Sequence, residues 1–255
     1  MSDKAVIAAF AEARRNEAAL AELPEPQPPD FDRAFRLQDE VSRALGWRQI
    51  GWKIGCTSAR AQKALNAKGP FPGTMFANRL FRPGDLVPTV AANRRVVEPE
   101  VAFTMARALP PRGRDYGTAE VLAAVASVHA AVEIVNPRTP RGFADPVPWF
   151  IVDGGLNDSI VLGAPERPEA IADFATLRAE VEANGKPMGK GVGGNALGGG
   201  HLALAWLANH LCAMGAGLGE GDIVTTGVIT EFFSAAPGDR IEARFEGLGP
   251  VAFSF

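Results

Sequence analysis

The chain has little of several features that usually announce a function. Its 255 residues include two cysteines, three histidines and one tyrosine. Cys56 and Cys212 match no zinc or redox spacing, which argues against a disulfide framework or a thiolate metal cluster and leaves reduced thiols in a cytoplasmic protein as the expectation. No histidine lies in an H-E-x-x-H motif and no G-x-S-x-G elbow occurs, so zinc-peptidase and serine-hydrolase chemistry have no support. Charge of one sign is also lacking. With 26 Lys+Arg against 29 Asp+Glu and no basic stripe, nothing points to nucleic acid. The stretch 191–219 carries no charged residue, but it opens on glycines and is broken by Asn209-His210; it reads as a loop entering a buried helix, not a membrane span. Asp3, Lys4, Glu12 and Arg14 deny the N-terminus the apolar core of a signal peptide.

What is present is a chain able to bury a sizeable core, 47% hydrophobic and 22% charged. Residues 3–22 have helical composition, the proline-rich run 23–29 breaks the helix, and a second helix starts near Asp30 or Asp32 with Phe35, Leu37, Val41 and Leu45 on one face. Residues 1–48 thus form an N-terminal helical region that packs on the main body, and residues 49–255 a larger domain. There, short strand-like runs separated by Gly and Pro lack regular βα alternation, which predicts a mixed, mostly β body rather than a doubly wound sheet. Asn184-Gly185 follows an alternating run and predicts a hairpin. Helices are expected over 118–129 and about 202–214, which would put His129 and His210 on helices in structural roles.

The run Val96-Val97-Glu98-Pro99-Glu100-Val101-Ala102-Phe103 places two carboxylates two residues apart in an apolar segment. On a strand both project to one face. Like charges in apolar surroundings are costly unless a cation or proton intervenes, and a hard divalent ion such as Mg²⁺ accepts such oxygens. Taken alone, the pair also fits a wet edge strand marked by Pro99. Glu133, in Ala130-Ala131-Val132-Glu133-Ile134-Val135, puts a third charge where the pattern expects core, and turns the reading toward a metal site. Lys53, within Gly51-Trp52-Lys53-Ile54-Gly55, fits a snorkelling surface lysine from spacing alone. If buried, it would have a depressed pKa suited to moving a proton or holding an enolate. Gly191-Val192-Gly193-Gly194-Asn195-Ala196 formally matches a dinucleotide fingerprint but has no βαβ context.

The ordered series Gly51–Ser58, Gly73-Thr-Met-Phe-Ala77, Glu98–Phe103, Val132–Val135, Asp153, Val161–Gly163, Trp206–Asn209, Gly221–Gly227 and Pro237–Asp239 resembles the 2-keto-4-pentenoate hydratase and 4-oxalocrotonate decarboxylase branch of the fumarylacetoacetate hydrolase superfamily, from about residue 30 to the C-terminus. The resemblance implies an α+β fold: a mixed β-roll or sandwich body with an N-terminal helical region. It implies Mg²⁺ or Mn²⁺ on Glu98, Glu100 and Glu133, with Lys53 as the family lysine. It also implies a homo-oligomer acting on a small 2-oxo acid. Thr74, Asn78, Asp153 and Thr226 are weaker candidates for substrate contacts. Each threonine could equally be satisfying backbone groups.

Two departures from the pattern stand out. Asn78 replaces a common Asp, and Asp153-Gly154-Gly155-Leu156-Asn157 replaces a segment richer in amide and hydroxyl groups. The leading expectation is hydration of a 2-hydroxy-2,4-dienoate in aromatic catabolism. Decarboxylation of a 2-oxo-3-enedioate is the alternative, and a paralogue that binds a 2-oxo acid without turnover is a third. Carbon–carbon hydrolysis by a His–Glu pair is disfavoured, since no histidine precedes His129.

Overall fold

The computed structural model describes residues 3–28, 30–90 and 94–255. Helix α1 (Asp3–Arg15) buries Val6, Phe10, Ala13 and Arg14. Helix α2 (Phe31–Leu45) is capped by the Asp30 carboxylate, which accepts from Arg33 N, and ends at Gly46 with φ +66°. Both share a core with α5 (Val147–Val152), where Phe10 stacks on Trp149 at 5.7 Å between ring centroids.

The larger sheet contains β1 (Gln49–Gly55), β2 (Phe71–Phe76), β3 (Leu80–Phe81), β4 (Val96–Met105), β5 (Val125–Val135), β6 (Asn157–Leu162), β9 (Ile223–Val228) and β10 (Phe233–Ser234), with α3 (Ala59–Leu65) between β1 and β2. Its order is β2-β1-β9-β4-β5-β6-β3, and β10 adds to β4. Most neighbours are antiparallel; β1 with β9 and β3 with β6 are parallel. The smaller sheet has the order β12-β11-β7-β8, from β7 (Arg178–Ala183), β8 (Lys186–Val192), β11 (Arg240–Phe245) and β12 (Leu248–Ser254). Asn184 and Gly185 turn β7 into β8 with φ +53° and +76°, as expected of an Asn-Gly hairpin.

One face of the larger sheet packs Val101, Phe103 and Val132 against the smaller sheet and α6 (Gly200–Ala213), through Val181, Ile241 and Leu207. Period-2 alternation therefore leaves residues 98, 100 and 133 on the opposite face. Among the described residues no helix is long and apolar enough to cross a membrane.

The helix expected over 118–129 is a correction. Only Thr118–Leu122 (α4) is helical, and β5 begins at Val125. Alanines favour helix locally, but Val125, Val128, Val132 and Val135 suit a strand, and ten paired positions with β4 decide the outcome. His129 is therefore a strand residue. Its Nδ1 lies 3.0 Å from Gly163 O and its Nε2 meets the hydroxyls of Thr104 and Ser127; burial pushes its pKa down.

Candidate metal centre and active site

Glu98 and Glu100 leave β4 on the same face, and Glu133 of β5 lies directly opposite Glu98. One carboxylate oxygen from each residue falls within 4.8 Å of the others. Glu100 and Glu133 are fully buried, while Glu98 keeps some exposure. Glu100 Oε2 accepts from Gly227 N at 2.7 Å, and Glu133 Oε1 accepts from Asn157 Nδ2 at 2.9 Å. Lys53 Nζ stands 3.5 Å from that same Glu133 oxygen. The remaining oxygens, Glu100 Oε1 and Glu133 Oε2, are buried without a partner among the described residues. Bare buried carboxylate oxygens are expensive, and their grouping fits a hard divalent cation. Three carboxylates against one ammonium leave two net negative charges, which such an ion cancels.

The electrostatics agree. Burial, reinforced by Glu133 and opposed by Lys53, pushes Glu98 up to about 7. Burial, then Glu133 and Glu98, holds Glu100 well above the usual carboxylate range. Lys53 is 3% exposed, so it does not snorkel, and its expected pKa depression is corrected in sign. Burial works against its charge, but Glu133, Glu98 and Glu100 together raise it. Lys53 is thus held as an ammonium. The Cys56 thiol near this group is pushed up to about 11, chiefly by burial, and stays protonated at neutral pH.

Backbone features position these side chains. Between Glu100 and Ala102 the β4–β9 register shifts, so that Val101 faces both Thr226 and Gly227, a bulge. Gly227 has φ +101°, and a Cβ there would lie 1.9 Å from Thr57 Oγ1. Only glycine can present this N–H to Glu100. On the other side, Gly154, Gly155 and Leu156 take φ of +62°, +66° and +66°. A Cβ on Gly155 would stand 3.1 Å from Lys53 Cδ, and one on Gly73 would stand 2.1 Å from Gly154 O. This turn therefore lies directly on the lysine stem.

The structure brings Glu98, Glu100, Glu133 and Lys53 together, and it places the weaker candidates elsewhere or at the edge. Thr74 pairs with Trp52, whereas Lys53 pairs with Gly73, so Thr74 occupies the alternate face. Its hydroxyl is 3.1 Å from Ser42 Oγ and its N–H donates to Gln38 Oε1. Asp153 is fully buried as an ion-pair anchor: Oδ1 lies 3.3 Å from Arg14 Nη1, and Oδ2 accepts from Arg138 N. Thr226 donates to Val101 O at 2.9 Å, on the side of Gly200 in α6. Asn78 is exposed, in a short turn after β2.

Sequence reasoning missed Thr225 and Asn157. Thr225 pairs in register with Lys53 and with Ala102, and its fully buried hydroxyl has no partner among the described residues. The alternation Ile223, Thr225 opposite Ala102 was a usable signal; the bulge that re-aims Thr226 was not. Asn157 opens β6 and touches Glu133 across 24 residues, which no local pattern reveals.

A model of the fumarylacetoacetate (FAA) hydrolase C-terminal family matches residues 57–255. The chain belongs to this family. Within FAA hydrolase relatives, it is 31% identical over 265 residues to 2-hydroxyhexa-2,4-dienoate hydratase of Comamonas testosteroni, covering 100% of this chain and 99% of that one. It is 32% identical over 231 residues to the TodF product hydratase of Pseudomonas putida, covering 89% and 84% respectively. Among solved FAA hydrolase structures, 4-oxalocrotonate decarboxylase from Pseudomonas putida G7, complexed with magnesium and adipate, superposes with a TM-score of 0.87 at 26% identity, over 100% of this chain and 98% of that one. The mixed β architecture and helix-rich N-terminal region agree with the fold expected from the sequence.

Proposed function

We propose that this protein is a divalent-metal-dependent hydro-lyase that adds water to a small 2-hydroxy-2,4-dienoate, with Mg²⁺ as the working ion. The observation that carries this reading is the pair of bare, buried oxygens on Glu100 and Glu133 beside the Lys53 ammonium. The hydratase relatives support the reaction class, and the magnesium complex of the decarboxylase supports the ion.

Glu98, Glu100 and Glu133 would hold the ion. When bound, it supplies Lewis acidity toward the carboxylate and 2-oxo oxygens of the substrate. Hydration starts with ketonisation: the 2-hydroxyl loses its proton and C5 gains one, giving a 2-oxo-3-enoate. Water then adds across C3 and C4, its hydroxyl bonding C4 and a proton going to C3. The substrate oxygen at C2 carries negative charge within each event, after the 2-hydroxyl loses its proton and again after water attacks C4, and Lys53 Nζ is the cationic donor that balances it and moves a proton. Glu133 holds Lys53 charged, and the Gly154–Leu156 turn keeps water from the lysine stem. Thr225 offers a hydroxyl free to orient the attacking water.

The test is a Mg²⁺-dependent ultraviolet assay with 2-hydroxypenta-2,4-dienoate and with a 2-oxo-3-enedioate, the products being identified by mass. Gain of water by the dienoate is expected. The likeness to the decarboxylase favours a second reading, and loss of CO₂ from the enedioate without hydration would establish it. A cytoplasmic homo-oligomer belongs to the same proposal; sedimentation of the purified protein checks the assembly.

A further inference from the structure

The turn over Lys53 needs support from outside itself. It contains three consecutive left-handed residues, one of them Leu156 at φ +66°, a conformation that side-chain-bearing residues hold only when the surroundings over-determine it. Part of that support comes from α1, far away in sequence and outside the segment that matches the family. Arg14, in the last turn of α1, is 3% exposed. Its Nη1 donates to Asp153 O at 2.8 Å and its Nη2 to Asn157 O at 3.0 Å. These two carbonyls bracket Gly154-Gly155-Leu156, so one planar guanidinium spans both ends of the turn. A Cβ on Gly154 would lie 2.8 Å from Arg14 Nη1, which shows how closely the fork lies on it. Arg138 adds a longer contact to Asn157 O at 3.3 Å.

The residue gripped at the far end is the one that reaches the ligand group, since Asn157 Nδ2 donates to Glu133 Oε1. Its partner oxygen, Oε2, is the bare one. The inner side of the same turn presses on Lys53 and Gly73.

We infer that Arg14 is a positioning residue of the active site: its fork locks the Gly154–Leu156 turn, and through Asn157 it fixes which Glu133 oxygen faces the metal. This rests on the metal reading above and makes the N-terminal helix part of the site. Lysine cannot replace it, because a single ammonium on a flexible stem does not bridge two carbonyls in a fixed plane.

The experiment compares wild type, Arg14→Lys and Glu17→Gln. Glu17 follows α1 and pairs with Arg79 at 2.9 Å, so its loss weakens helix docking without touching the turn. Mn²⁺ affinity is read by electron paramagnetic resonance, and backbone amide exchange over 154–157 is read on the metal-free proteins. Arg14→Lys is expected to weaken Mn²⁺ binding by about 10- to 100-fold, the range for outer-sphere changes at metal sites, and to speed exchange of the turn, while Glu17→Gln changes neither. Equal weakening by both variants, or wild-type affinity and exchange in Arg14→Lys, would overturn the inference. If wild type itself bound no Mn²⁺, the metal reading would fall; unchanged exchange in Arg14→Lys would then overturn the clamp, and faster exchange would sustain it.

Discussion

Glu98 and Glu133 face each other directly across the β4–β5 ladder, two acids where cross-strand pairing normally penalises like charge. Glu100 joins them from two residues further along β4. The cluster is therefore a place where the folded protein is at odds with its own charge unless a cation is present, and most of its testable behaviour follows.

Metal-free stability should fall as pH rises from about 4.5 to about 7. Glu98 is raised from 4.5 to about 7 in the folded chain, and Glu100 is raised as well. The folded state thus binds these protons more tightly than the unfolded state, and the stability they contribute is lost as pH climbs through the folded values. Added Mg²⁺ should reverse the loss, so the gap in Tm between Mg²⁺-loaded and EDTA-treated protein should widen over the same window. Thermal melts at a series of pH values check this; a constant gap would refute it.

Glu100→Gln keeps an oxygen able to accept from Gly227 N while removing one charge. Divalent-ion binding should weaken more than the 10- to 100-fold typical of outer-sphere changes, and activity should vanish. The metal-free variant should melt higher than metal-free wild type at pH 8. That second result separates relief of repulsion from ordinary damage.

Lys53→Met fits the buried stem without placing a charge beneath Gly155. Turnover should drop by about 10²- to 10⁴-fold, the range expected for a positioned proton donor, while ion binding persists. Calorimetric titration with Mg²⁺, run beside the ultraviolet assay, distinguishes this from loss of the site.

Thr225→Val removes an unpartnered hydroxyl at nearly constant volume. Tm should stay level or rise slightly, since no protein hydrogen bond is lost, while kcat falls by about tenfold for a group orienting water. Thr226→Val is the contrasting variant: it breaks the bond to Val101 O and should cost about 1 kcal/mol of stability.

The strand pattern around the three glutamates is legible because alternation is local: Val97 and Val101 enter the core, so Glu98 and Glu100 face away. Legibility ended where the determinant was distant or irregular. Lys53 looks like a surface lysine until Gly155 is brought down on its stem. Thr225 escapes notice beside the candidate Thr226, because the bulge opposite Val101 cannot be seen from β9 alone. Asp153 carries the right chemistry for substrate, but Arg14 and Arg138, 139 and 15 residues away, consume it. His129 reads as helical because the alanines around it favour helix, whereas its pairing with β4 makes it a strand residue.

The two-residue period of β4 and β5 also limits how this site can change by insertion or deletion. One residue added within either strand would rotate its glutamates into the layer shared with α6 and the smaller sheet, exchanging acid for valine in a single event. The connection between residues 105 and 125 is under no such parity rule. Length variation among descendants of this chain should therefore accumulate in that loop, while the spacing from Val96 to Met105 and from Val125 to Val135 stays frozen.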